Sequence, residues 1–182
     1  VRELNMEIPA KKGFSVIATA NTRDKGVNEM SAALKRRFNI VVLPTPASLE
    51  TEIDIVKTRV EQLSGGMELN ASLPESDVVE KVCTIFRELR NGETCDKSQK
   101  LKTTTGVLST AEAISLLCGS MALAGSFGNG KVSDEDLAAG LAGAVIKEED
   151  KDVTAWKEYL ENVMKKRGSK WSGLYNACRE LL

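Results

Sequence analysis

Phe14-Ser15-Val16-Ile17-Ala18-Thr19-Ala20-Asn21-Thr22 is the stretch on which the fold turns. It opens after Gly13, stays largely apolar and partly β-branched to Ala20, and then breaks into the polar Asn21-Thr22-Arg23-Asp24-Lys25-Gly26. A short apolar run bounded by a glycine and a polar turn predicts a buried strand of a parallel sheet. Downstream, Ser31-Ala32-Ala33-Leu34-Lys35-Arg36-Arg37-Phe38 predicts a short helix with two arginines near its end. Ile40-Val41-Val42-Leu43 predicts a second buried strand, stopped by Pro44 and Pro46. Residues 1–46 thus carry two expected strands around a turn of helix, too little for a self-sufficient sheet.

Beyond Ser48 the apolar spacing becomes helical. Ser48 suits an N-cap, Thr51-Glu52 stand in the first turn, and Leu49, Ile53, Val56, Val60 and Leu63 recur at three and four residues. Ser64-Gly65-Gly66 stops this helix. Another is expected from Ser76-Asp77 to Leu89, with Val78, Val82, Ile85, Phe86 and Leu89 inward and Asn91-Gly92 at its end. Residues 93–105 are polar and threonine-rich, and read as a loop. Ser109-Thr110-Ala111-Glu112 has capping-box spacing and opens a small-residue helix through Ala124. Residues 125–130 read as a flexible turn, after which Ser133-Asp134-Glu135-Asp136 caps a helix from Leu137 to Ile146. Two more helices are expected over 153–166, with Trp156, Tyr159, Leu160 and Val163 as the apolar stripe, and over 170–182.

Composition narrows the chemistry. The 182 residues are 42% hydrophobic and 28% charged, the balance of a globular chain with a real core. Twenty-five basic residues against 26 acidic leave a formal charge of −1, no electrostatic footprint for nucleic acid or an anionic membrane. No apolar run approaches the roughly 20 residues needed to span a bilayer. The first residues carry charge without an apolar core, so no signal peptide is expected, and the missing initial Met suggests a piece of something longer. Cys83, Cys95, Cys118 and Cys178 are widely spaced, which points to reduced thiols in the cytoplasm. Histidine is absent, which removes Ser-His-Asp and Cys-His catalysis and the commonest zinc ligand, and no metal site is expected.

Two features could carry chemistry. Asn21 follows the first expected strand, and a polar side chain there faces the crevice in which α/β sheets bind ligands. Its amide can orient a water, although an Asn at this place also serves simply to turn a loop. Lys35-Arg36-Arg37-Phe38 offers planar guanidinium forks suited to phosphate oxygens, although a basic helix end is also favourable for the dipole alone.

Taken in order, strand, Asn loop, short helix ending Arg-Arg-Phe, strand, proline and helical bundle resemble the AAA+ ATPases. Within them the text from Val16 to Asp24, from Ala33 to Phe38, and on through Ile40-Val41-Val42-Leu43-Pro44 to Glu50-Thr51-Glu52 is most similar to the MoxR and dynein-related branch, McrB-type GTPases included. The specific match covers residues 13–60. Val132-Ser133-Asp134-Glu135-Asp136-Leu137 is similar to a segment late in MoxR-type lids. The resemblance implies an α/β remnant, two parallel strands of a P-loop NTPase core (residues 1–46), followed by an all-α helical lid (residues 47–182). It implies that Asn21 is the sensor 1 residue placing the attacking water, and that Arg37, with Arg36 as the alternative, is the finger reaching a neighbouring subunit's nucleotide. ATP and Mg²⁺ are implied for the complete protein, together with a homo-oligomeric ring and an unidentified client protein.

Departures from the family pattern are as informative. Lids of the family often carry a sensor 2 arginine in a Ser-x-Arg step, where this chain has Ser109-Thr110-Ala111. There is also no G-x-x-x-x-G-K-[ST] loop and no apolar strand ending in a metal-holding Asp-Glu. Those elements cradle the phosphates and hold Mg²⁺, so this chain alone is expected to bind no nucleotide and to be inactive, its P-loop half lying upstream. Two rival readings use the same residues. One is a non-catalytic helical interaction module, residues 48–182, with the strand segment as a tail. The other is a McrB-like GTP-using motor, since nothing here separates ATP from GTP.

Overall fold

The computed structural model describes residues 7, 9–20 and 30–182, Glu149 by its backbone alone. The chain divides into two units, Val1–Leu43 and Pro44–Leu182.

In the first unit, α1 (Ala32–Lys35) is the one regular element among the described residues. Ser31 caps it by accepting the Leu34 N–H at 3.2 Å, and the Arg36 N–H closes it onto the Ala32 carbonyl. Neither expected strand is present among the described residues: 14–20 and 40–43 run without a ladder partner. Their side chains lie in solvent, Ile17 at 94% and Leu43 at 86% of full exposure. The apolar runs are real, but a strand exists only through hydrogen bonds to a neighbour, and the described chain offers these segments none. The α/β remnant is therefore corrected: what is described is mostly helix.

The second unit is a helical bundle. Ser48 caps α2 (Leu49–Ser64) by accepting the Thr51 N–H at 3.1 Å, and Val56 and Val60 are buried while Leu63 stays largely exposed. In α3 (Ser76–Asn91), Val82, Ile85, Phe86 and Leu89 are fully buried. Gly92 closes α3 with φ 70°, a left-handed position where a Cβ would also meet Thr103 Cγ2 at 2.9 Å. Residues 93–105 form the expected loop, pinned by an isolated antiparallel bridge between Glu93 and Lys100.

The capping box at Ser109 is complete and opens α4 (Thr110–Phe127), which runs three residues past its expected end. A second capping box at Ser133 opens α5 (Asp134–Val145). The tail folds as α6 (Glu149–Asn162), a 3₁₀ turn (Met164–Arg167) and α7 (Ser169–Glu180). Trp156, Tyr159, Leu160 and Val163 are all buried, as their spacing requires.

Within the bundle α2 packs on α3 and α4, α4 on α5, and α5 on α7, while α6 joins through the 3₁₀ turn. Gly140 lets α5 approach α4 closely, since a Cβ there would stand 3.0 Å from Leu116 Cγ. Contrary to the absence of any long apolar run, α4 is long and apolar enough to cross a bilayer, with mean hydropathy 1.3 over 18 residues. In the bundle it buries Ala113, Leu117, Met121 and Ala124, with 39% of that window buried.

Candidate functional site

Arg36 and Arg37 stand together at the C-terminal end of α1, both exposed to solvent. Arg36 N donates to Ala32 O at 3.1 Å and Arg37 N to Leu34 O at 2.9 Å, so the backbone holds both residues in a helical turn while the guanidinium groups project outward. Asn21 lies outside the described residues, so no geometry relates it to the two arginines.

In the helical unit the charged side chains are organised around three buried carboxylates that sequence reasoning did not single out for a role. Glu52 of α2 is fully buried and accepts four donors. Arg90 gives it two, at 3.0 and 2.7 Å, Arg87 one at 3.3 Å, and Thr110 Oγ1 one at 3.1 Å. A carboxylate removed from water is tolerated only when paired and saturated in this way. Both arginines also reach backbone. Arg90 donates to Leu108 O at 2.8 Å, and Arg87 donates to Pro46 O at 3.1 Å and Ala47 O at 2.7 Å. Leu108 is fully buried at φ 46°, a left-handed conformation that costs a leucine free energy and persists only when its surroundings hold it. The Glu52 cluster therefore sets the start of α4, the place where the sequence lacks a sensor 2 arginine.

Glu88 is the second node. It accepts the Tyr159 hydroxyl and the Cys95 N–H at 2.7 and 2.8 Å and pairs with Arg167, whose guanidinium lies 4.6 Å from the centre of the Trp171 ring. This ties α3 to α6, the 3₁₀ turn and α7. Asp152 is the third. Burial pushes its carboxyl up, but the backbone N–H groups of Glu148, Thr105 and Lys147 and the Thr105 hydroxyl outweigh that and hold it at about 2.

Saturated with donors, these acids join helices to one another and to the loops between them, so their observed role is architectural. The thiols are inert. Burial pushes Cys83 and Cys178 up to about 12, and burial together with Glu88 takes Cys95 to about 11. Among the described residues no group of acids and cysteines is arranged to hold a metal ion. A cleft lined by Lys100, Lys102, Glu158, Tyr159 and Asn162 lies against α6, and its Lys102–Glu158 pair is a surface ion pair. Arg36 and Arg37 at the end of α1 are exposed and so accessible to an anion.

A signal for the buried acids was present in the sequence. Glu52 is in phase with Val56 and Val60, and Asp152 with Trp156 and Leu160, so each acid falls on its helix's apolar stripe.

Residues 50–181 match the family model of the YehL-like AAA+ ATPase C-terminal domain, and residues 1–38 match that of the AAA domain (dynein-related subfamily). Asn21, Arg36 and Arg37 all fall within the second match. Among curated proteins, "Uncharacterized protein YehL" of Escherichia coli (strain K12) is 34% identical over 177 residues, which cover 96% of this chain and 48% of that relative. The chain thus spans about half the length of the curated relative it matches. No solved structure matches it.

Proposed function

The chain belongs to the YehL-like AAA+ ATPase C-terminal domain family, and from that premise we propose that it is the lid-bearing portion of an ATP hydrolase of MoxR-like type, working as a ring of identical subunits that remodels a client protein. The observation that carries this reading is the exposed Arg37 at the end of α1, inside the segment that matches an AAA domain. A finger must project from a rigid element, keep its charge at every physiological pH and meet no competing carboxylate of its own bundle. Arg37 sits on a hydrogen-bonded turn with its side chain in solvent, while in the second unit Arg87 and Arg90 pair with Glu52 and Arg167 with Glu88.

The reaction is transfer of the γ-phosphoryl group of ATP to water. Asn21 places the water and Arg37 steadies the charge that develops on the γ-phosphate of the adjoining subunit. The described residues do not fit Mg²⁺ or the phosphate chain by themselves. On this reading phosphate grip and metal binding fall to another portion of the complete protein.

In the complete protein, Arg37→Ala is expected to lower hydrolysis by about 10³-fold or more while nucleotide affinity stays nearly unchanged. Turnover and binding measured side by side decide it. Normal turnover, or a parallel loss of binding, rejects Arg37 as the finger, and a selective loss in Arg36→Ala instead moves the role to its neighbour.

A further inference from the structure

Arg87 is a side chain of α3 whose most direct contacts lie about 40 residues earlier in the chain. Its guanidinium donates to two consecutive carbonyls, Pro46 O at 3.1 Å and Ala47 O at 2.7 Å, and to the buried Glu52 Oε2 at 3.3 Å. Glu52 is in turn fixed by Arg90 and Thr110, so the anchor behind Arg87 is the base of the bundle itself. Directly before it the chain changes character. Among the described residues Leu43, Pro44 and Thr45 form no hydrogen bond, all three are exposed, and the boundary between the two units falls at Leu43–Pro44.

We propose that Arg87 is a clamp that makes residues 46–48 part of the helical unit, so that the ordered bundle begins at Pro46, ahead of α2. The flanking prolines stiffen this entry to the bundle. Pro44 and Pro46 each fix their own φ and press the preceding residue toward extended backbone, which leaves few soft torsions. Fastening the carbonyls of Pro46 and Ala47 removes the remaining slack on the bundle side. Arg87 is thus a positioning residue. The inference requires only the two units and the contacts of Arg87, so it stands or falls apart from the hydrolysis reading.

Spin labels test it on the full 182-residue chain. Cys95→Ser removes the exposed thiol, and single labels are placed at Thr45→Cys, Ala47→Cys and, as a distant control, Ser126→Cys. The expected spectra show the label at 47 immobilised relative to the label at 45. Arg87→Lys keeps a positive charge for Glu52 but loses the fork that spans two carbonyls. It is expected to mobilise the label at 47 several-fold toward that at 45, with the control at 126 and the melting temperature little changed. Arg87→Gln should mobilise 47 as well, with some loss of stability. Equal mobility at 45 and 47 in the unsubstituted background overturns the clamp, and so does a label at 47 that ignores Arg87→Lys in a folded protein.

Discussion

Glu52 shows at the scale of one residue why a buried charge is a commitment. Its oxygens are saturated by Arg87, Arg90 and Thr110, and removing them strands two guanidinium groups in the bundle. Glu52→Ala is therefore expected to cost about 3–5 kcal/mol, read from urea unfolding. A loss below about 1 kcal/mol would show that the cluster is solvated in practice. Asp152 makes a pH-dependent version of the same statement. Its folded value of about 2 lies below the ordinary 3.8, so its contribution is complete above about pH 4 and is lost as pH falls through about 2. Asp152→Asn should cost roughly 2 kcal/mol at neutral pH, and the gap between the two proteins should close between those values. A gap that stays constant down to pH 2 contradicts the assignment. At this scale the sequence placed Arg36 and Arg37 at the end of a short helix, and the structure has both exposed there. Arg87 and Arg90 were not. Their meaning lies in carbonyls and a carboxylate brought close only by folding, and the sole trace in sequence is an acid sitting on an apolar stripe.

Helix starts are the elements the sequence states most openly, because a cap is a local device. Ser48, Ser109 and Ser133 each accept a backbone N–H from their first turn, and the last two complete capping boxes. Ser109→Ala and Ser133→Ala are each expected to lower stability by about 1 kcal/mol. The Ser109 change should weigh more, because the box also holds Leu108 at its left-handed φ. Equal melting temperatures for the two variants and the parent chain would contradict both caps. Helix ends were harder to place. α4 continues to Phe127, beyond its expected stop at Ala124, and the helix expected over 153–166 instead runs from Glu149 to Asn162 before tightening into a 3₁₀ turn. Packing against neighbours decides where such ends fall, and periodicity carries little of that information. The expected strands failed for a stronger reason: a short apolar run records residues to be buried but cannot supply the neighbour that buries them.

At the scale of the molecule the two units divide a task. The helical unit is internally complete, with its core filled and its buried acids paired across α2, α3, α4, α6 and α7. The first unit displays apolar segments and two exposed arginines. The family match over 50–181 agrees with the sequence reading of the helical part as an AAA+ C-terminal domain, while the shorter match over 1–38 covers the segment where strands were expected. The proposed reading, in which the chain contributes to a nucleotide site without gripping the nucleotide, has a direct test. Calorimetric titration of Mg-ATP into the 182-residue chain measures it. The expected result is no heat of binding at millimolar nucleotide, and saturable binding in the micromolar range would contradict it by revealing a phosphate grip within these residues.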